Sequence, residues 1–247
     1  MTHQSERESV RRSTYKPRHP QEQFIVPLLQ RHIDRLLQLH ALPSPESGHV
    51  LDVGCGRQPF RAILESRGYA YTGLDVEQNP EGTVEIVCSI DQNLPQELAF
   101  ESFQFVLCTE VLEHVADWDV AFRNLAALTA PGGHILITCP HFYPLHEEPY
   151  DYWRPTHHAV RYFAERVNLT IAEEVKAGDA WDVLGTALTC CWPSVEKGDF
   201  KSRVMRKIVS AVKTRFFNIL VKEKLQKMVP MNGPLYMSNI FVLERPA

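Results

Sequence analysis

Between residues 49 and 178 short apolar runs alternate with amphipathic segments, and this alternation restricts the fold more than any other feature of the 247-residue chain. HVLDV (49–53), YAYTGLD (69–75), VEIVCS (84–89), FQFVLCT (103–109), HILITCP (134–140) and LTIAEEVKAG (169–178) read as strands. Helical spacing appears between them. PFRAILESRG (59–68) is closed by Gly68, DWDVAFRNLAALTAPGG (117–133) opens at Asp117 and is closed by Pro131, Gly132 and Gly133, and THHAVRYFAERVN (156–168) has Thr156 at its N-cap. Strands joined by helices run parallel, so the expected class is α/β, with helices on both faces of a mostly parallel sheet. One connection is out of step. VEQNPEGT (76–83) is too short for a crossover helix, so the sheet should be thinly covered there or covered by the N-terminal helix.

That N-terminal helix is QEQFIVPLLQRHIDRLLQLH (21–40), with Phe24, Leu28, Leu29, Ile33, Leu36 and Leu37 on one side and Pro27 near its first turn. Residues 1–20 read as a disordered polar tail and have no apolar core of the kind a secretory signal carries. After 178 the rhythm breaks. DFKSRVMRKIVSAVKTRFFNILVKEKLQKMV (199–229) reads as helix, MNGP stops it, and LYMSNIFVLERP (235–246) is a final strand. The expected organisation is one domain over 21–247, with a cofactor-binding core at 48–176, a helical insertion at 179–231 and the final strand at 235–245.

Net charge is −4, which excludes a polycation made for bulk nucleic-acid binding. The charge is uneven: 201–227 holds nine Lys/Arg against Glu223 alone, leaving the rest near −12. No apolar stretch reaches the roughly 18–20 residues of a spanning helix. Six cysteines without a CxxC pair speak against a structural zinc site and fit a reduced, cytoplasmic setting.

The chemistry begins at VLDVGCGRQPF (50–60). A strand ends in a carboxylate, Asp52, and Gly54 and Gly56 flank Cys55 in a turn where the absence of Cβ lets the backbone approach a ligand. The next strand ends at Asp75, 19 residues after Gly56, where a carboxylate can accept both hydroxyls of a ribose. A dinucleotide site would want a third glycine at position 59, which is Pro59, and Asp52 would repel a pyrophosphate. A ligand with a ribose, an amino-acid end and a positive charge suits both facts, and S-adenosylmethionine is such a ligand.

The segment resembles motif I of class I S-adenosylmethionine-dependent methyltransferases, and TGLDVE (72–77) is similar to their ribose-holding stretch. The block from LPQELAF through FQFVLCTEVLEHV to PGGHILITCP (94–140) resembles the strand-four to strand-five region of the ubiE/type 11 group. The resemblance spans about residues 48–176. It implies a Rossmann-like, doubly wound, seven-stranded sheet with the last strand antiparallel, and S-adenosylmethionine as cofactor. It places Asp52, Gly54, Cys55 and Gly56 at the methionine end, Asp75 at the ribose, Val76, Ser89, Ile90 and Asp91 around the adenine, and Thr109 and Glu110 facing the cofactor. In EVLEHV (110–115) the adjacent Glu113 and His114 form a poor ligand set by themselves, so the stretch is read as shaping the pocket, with no metal expected.

CPHFYPLHEEPYDYWRPTHH (139–158) follows the fifth strand at the mouth of the same crevice. Its pattern P…H…P-x-D-Y-x-R-x-T is similar to one in bacterial methyltransferases found among sugar and cell-surface glycan enzymes, which implies a small-molecule or glycan-like acceptor. Methyl transfer to a hydroxyl or amine requires a place for the acceptor's proton, and a histidine suits that task. His146 and His141 are the candidates, with His146 preferred. Tyr150, Asp151, Tyr152 and Arg154 can orient the acceptor, or Asp151 and Arg154 can brace the loop as an ion pair. A cofactor-binding scaffold without catalysis is the main alternative, and a nicotinamide-dependent oxidoreductase a weaker one. The basic segment 200–227 is read either as a helix packed on the core or as a contact with anionic membrane. No nucleic-acid partner is expected.

Overall fold

The computed structural model describes residues 14–41, 48–96, 98, 100–193, 195–229, 231 and 234–247. Most of the expected N-terminal tail (1–13) and most of the connector ALPSPESG lie outside the described residues. In chain order the elements are α1 (Glu22–His40), β1 (His49–Val53), α2 (Arg61–Glu65), β2 (Ala70–Asp75), β3 (Ile86–Val87) and β4 (Phe103–Thr109). A 3-10 turn (Leu112–His114), α3 (Trp118–Leu128), β5 (Thr129–Pro140), α4 (His157–Arg166) and β6 (Thr170–Ala177) follow. The chain closes with α5 (Ala180–Cys190), α6 (Phe200–Leu220), α7 (Glu223–Met228) and β7 (Ser238–Glu244).

The seven strands form one sheet in the order β3-β2-β1-β4-β5-β7-β6. Neighbours are parallel except at β7, which runs antiparallel to both β5 and β6. This is the Rossmann-like arrangement expected, with the last strand reversed. β1 is paired along both edges, by β2 and β4, and packed on both faces, Leu51 and Val53 in one core and Val50 in the other, so all three are buried. That is why its apolar residues do not alternate with exposed ones, and even Asp52 within it is buried.

Each face of the sheet has its own core. On one, Trp118, Phe122 and Leu125 of α3 and Val160 and Ala164 of α4 pack with Leu51, Val106, Ile135 and Phe241. On the other, Leu29, Ile33, Leu36 and Leu37 of α1 pack with Val50, Phe105, Leu107 and Ile240. α1 therefore covers the middle of the sheet. It meets α5 closely: a Cβ on Gly185 would lie 2.3 Å from the Phe24 ring. The short β2–β3 connection is held by polar bonds. Asn79 Nδ2 donates to the Gly56 carbonyl (2.9 Å) and to Thr83 Oγ1 (2.8 Å), and its Oδ1 accepts from the Thr83 N–H.

Some boundaries differ from those the sequence predicts. α3 ends at Leu128, and Pro131, Gly132 and Gly133 belong to β5, which begins at Thr129. The N–H of Gly132 donates to the Arg245 carbonyl and that of Arg245 to Gly133, so pairing with the chain's end draws this stretch into the sheet. β3, at the sheet edge beside β2, is two residues long, shorter than the run VEIVCS predicts. Thr156 stands at the N-cap of α4, but its side chain makes no capping bond. α5 falls within the helical insertion expected over 179–231, ahead of the helix placed at 199–229; its signal is a capping box in which Asp179 accepts from the backbone and Asp182 answers. The single helix expected over 199–229 is two, α6 and α7. Among the described residues no helix is long and apolar enough to cross a membrane.

If α1 is part of the core, Leu36→Ala, at a position with no exposure, should cost about 2–5 kcal/mol in urea denaturation. Leu39→Ala, 53% exposed on the same helix, should cost under about 0.5 kcal/mol.

Candidate active site

The strand order reverses at β1: β2 and β3 lie to one side, β4 and β5 to the other. In open α/β sheets this is where a crevice forms beyond the strand ends. A cavity of about 400 Å³ sits there, within the size range of small-ligand sites.

The glycine turn forms its floor. Gly54 and Gly56 have φ of 68° and 51°, and a Cβ on Gly54 would lie 2.2 Å from Val111 Cγ2. Only glycine fits both that backbone and that approach. The N–H groups of Gly54 and Cys55 both donate to the Leu74 carbonyl (2.7 and 3.1 Å), tying the turn to the end of β2. The Gly56 N–H donates to Asp75 Oδ2 at 2.8 Å. Asp52 is buried and accepts a 2.6 Å bond from the Tyr71 hydroxyl. Burial pushes its carboxyl up to about 7, against the pull of that bond, and also raises the Cys55 thiol.

Asp52, Gly54, Cys55, Gly56, Asp75, Val76, Ile90, Thr109 and Glu110 all line the cavity. Glu110 holds a left-handed backbone (φ 55°), fixed by its N–H donating to the Thr138 carbonyl at 2.9 Å. Asp91 is placed differently. Its carboxylate accepts from Ser89 Oγ (2.5 Å) and from the Asp117 N–H (3.3 Å), so it faces the start of α3, while Ser89 and Ile90 remain on the wall.

The loop after β5 supplies the opposite wall through Tyr143, Pro144, Leu145, His146 and Glu147. Asp151 and Arg154 lie behind it. Arg154 grips Asp151 with two bonds (2.6 and 2.7 Å) and donates to the carbonyls of Tyr143 and Pro144 (both 3.0 Å). Asp151 also accepts from the His146 N–H at 2.9 Å. Burial opposes charge on Asp151, but these donors outweigh it and hold its carboxyl below the usual range. The pair is thus an ion pair that ties the loop's backbone together behind the cavity wall. His141 is turned away: its Nδ1 is 3.0 Å from the Pro155 carbonyl and its ring stacks on Tyr236 with centroids 4.2 Å apart.

His146 faces the cavity beside His114, their rings edge to face with centroids 4.7 Å apart. Burial, helped by His114, lowers the His146 pKa to about 4, so its imidazole is neutral at pH 7. Beneath them Glu113 is fully buried, and burial followed by the nearby Glu110 raises its carboxyl well above the ordinary range. The sequence reading missed one wall altogether: Tyr15, His19, Gln21 and Glu22 before and at the start of α1, with Ile25 and Leu29 beyond. Nothing local marks these residues as belonging to the site. It also missed Asn79, whose bond to Gly56 secures the turn from behind.

The residues fit S-adenosylmethionine by their geometry: a turn that a Cβ would fill, a carboxylate at the end of β2 and a second, buried carboxylate beneath the turn. A family profile described as a methyltransferase domain matches residues 25–174. The ubiquinone biosynthesis O-methyltransferase of Stutzerimonas stutzeri (strain A1501) is 31% identical over 138 residues, 52% of this chain and 55% of that protein. That of Coxiella burnetii (strain RSA 493 / Nine Mile phase I) is 28% identical over 134 residues, 50% and 52% respectively. The chain thus spans about half the length of these curated relatives. A SAM-dependent methyltransferase from Archaeoglobus fulgidus has the same fold, with a TM-score of 0.52 at 14% identity over 88% of this chain and 93% of that one. So does the Burkholderia thailandensis 1,6-didemethyltoxoflavin-N1-methyltransferase, with a TM-score of 0.51 at 12% identity over 92% and 80%.

The raised Asp52 has a consequence for stability. A carboxyl whose folded pKa exceeds its unfolded value stabilises the fold when protonated, and that contribution is lost as pH rises from about 4 through about 7. Asp52→Asn keeps an acceptor for Tyr71 and carries no charge. Its melting temperature relative to the wild type should therefore rise steadily between pH 4 and pH 8; a difference that stays constant over that range would show that Asp52 is not held this way.

Proposed function

Because the chain belongs to the methyltransferase-domain family, we propose that it is an S-adenosylmethionine-dependent methyltransferase acting on a hydroxyl, or an amine, of a small-molecule or glycan-like acceptor. The observation that carries this reading is the pairing of two walls on one cavity. The glycine turn and Asp75 lie on one side, and a histidine-bearing loop braced by Asp151 and Arg154 lies on the other. The similarity to ubiquinone biosynthesis O-methyltransferases supports a hydroxyl on a small molecule.

S-adenosylmethionine, when bound, supplies an electrophilic methyl group on a cationic sulfur. Gly54, Cys55 and Gly56 would hold its methionine end, with the carboxylate of Asp52 beneath. Asp75 would take the ribose hydroxyls, and Val76 and Ile90 the adenine. Thr109 and Glu110 close the wall between cofactor and acceptor. Asp91 is left out of this set, since its carboxylate serves the start of α3. We assign the acceptor's proton to His146. Its Nδ1 lies 3.2 Å from Asp151 Oδ2, so Nε2 is the nitrogen left for the cavity. Asp151 and Arg154 are positioning residues that fix the loop, and His141 has no part in the step.

α6 adds a contact with anionic membrane to this reading. Phe200, Val204, Met205, Ile208, Val212, Phe216 and Ile219 are each at least 40% exposed, and six Lys/Arg with no acid share the helix. An apolar face bordered by cations suits an anionic lipid surface.

His146→Ala should lower kcat by about 10²-fold while leaving S-adenosylhomocysteine affinity unchanged, and Asp75→Ala should do the reverse, weakening affinity by about 10-fold or more. The base must be deprotonated to act, and its pKa near 4 lies far below neutrality, so kcat at saturating S-adenosylmethionine, where the cationic cofactor already holds Asp52 ionised, should stay flat from pH 8 to pH 6. A decline centred near 6.5 would assign the step to an unperturbed histidine. For α6, co-sedimentation with phosphatidylserine vesicles should be strong in low salt and lost in Lys207→Glu/Arg203→Glu; no binding by the wild type would end the membrane contact.

A further inference from the structure

Glu113, His114 and His146 offer ligand atoms that all lie within 4.8 Å of one another, and they are the one such group of His, Cys, Asp or Glu among the described residues. Glu113 and His114 are neighbours in the turn after β4 and make an incomplete set. The loop after β5 brings His146 across the crevice to complete it.

Three features of this cluster suit a cation. First, Glu113 is fully buried and neither of its carboxylate oxygens has a hydrogen-bond partner. The nearest basic atom is His114 Nε2, 3.9 Å from Oε1. A buried carboxylate left this way is unfavourable unless a positive charge offsets it. Second, His114 Nδ1 lies 2.9 Å from the Tyr150 carbonyl. A carbonyl only accepts, so Nδ1 carries the hydrogen and Nε2 keeps its lone pair, the arrangement found in metal-ligating histidines. Third, His146 Nδ1 faces Asp151 Oδ2 at 3.2 Å and Arg154 Nη2 at 3.4 Å, so Nε2 is again the nitrogen on the open side.

We propose that Glu113, His114 and His146 bind one divalent first-row metal ion at the acceptor side of the cavity. Two imidazoles and one carboxylate suit zinc or manganese better than magnesium or calcium, which favour all-oxygen sets. Drawing the three atoms onto an ion at about 2.0–2.2 Å asks for side-chain adjustments of about an ångström. Three protein ligands leave an open coordination position, and the cavity lies beside it.

The site stands on its own geometry, but its use rests on the methyltransferase reading. An acceptor hydroxyl oxygen in the open position would lose its proton to water more readily, because the ion stabilises the oxygen's charge. One nitrogen cannot be both ligand and free base, so the ion would replace His146 in the role assigned to it above.

The test uses the full chain, freed of metal by chelation and titrated with Mn²⁺ and Zn²⁺ by calorimetry, with Co²⁺ absorption as the report on ligand type. One ion per chain is expected, bound at least about 10-fold more weakly by Glu113→Gln and by His146→Ala. Circular dichroism identifies any variant that does not fold, and the wild-type titration decides in any case. A wild type that takes up no stoichiometric ion, or variants that bind it equally well, would overturn the proposal and leave His146 as a free base. S-adenosylhomocysteine binding measured alongside separates the two readings. If the ion binds and the nucleoside does not, the methyltransferase reading fails and the metal site stands.

Discussion

The cavity hangs from one backbone junction, where the N–H groups of Gly54 and Cys55 converge on the carbonyl of Leu74. Two donors on one acceptor force the chain leaving β1 to turn across the end of β2. The turn is possible because Gly54 tolerates a left-handed backbone with Val111 pressed against it. From there Gly56 reaches Asp75, and Asn79 fastens the turn to the β2–β3 loop that replaces a crossover helix. The missing helix and the open crevice are therefore connected: a compact polar loop stands where a helix would otherwise pack.

Buried carboxyls dominate the electrostatics of the floor. Asp52 and Glu113 are both pushed toward their protonated forms by burial, and each is pushed further by a neighbouring acid, Asp75 or Glu110. Such an arrangement is unfavourable in isolation and improves when a cation enters. The two carboxyls belong to different ends of the cavity, Asp52 under the glycine turn and Glu113 under the histidines. A cationic cofactor and a metal ion would answer them separately.

Much of the core was legible because its signals are local. The amphipathic period of 21–40, the apolar run of β1 and the spacing of Gly54, Gly56 and Asp75 each depend on a few adjacent residues, and the structure places them as those patterns imply. Errors came where pairing partners are distant. Pro131-Gly132-Gly133 reads as a helix stop, but hydrogen bonds with Arg245, more than 110 residues away in sequence, make it a strand. His146 is preferred over His141 in sequence for its place at the head of HEEPYDYWR alone; the packing behind the difference, His141 stacked on Tyr236 and the His146 N–H held by Asp151, is visible only in the structure. The wall formed by Tyr15 to Leu29 has no motif at all, since its place depends on how α1 crosses the sheet.

The sequence by itself determined the α/β class, the family resemblance and the end of the cavity built from contiguous motifs. Backbone conformation and short-range spacing suffice for these, because a glycine turn after a buried strand has few ways to fold. Only the tertiary structure decided the acceptor side. Glu113 and His114 differ little, on paper, from a surface pair. They become a candidate centre because Glu113 is sealed beneath the turn and His146 is carried to it by a loop 32 residues further on. Burial and long-range convergence are properties of packing, and no stretch of residues states them alone.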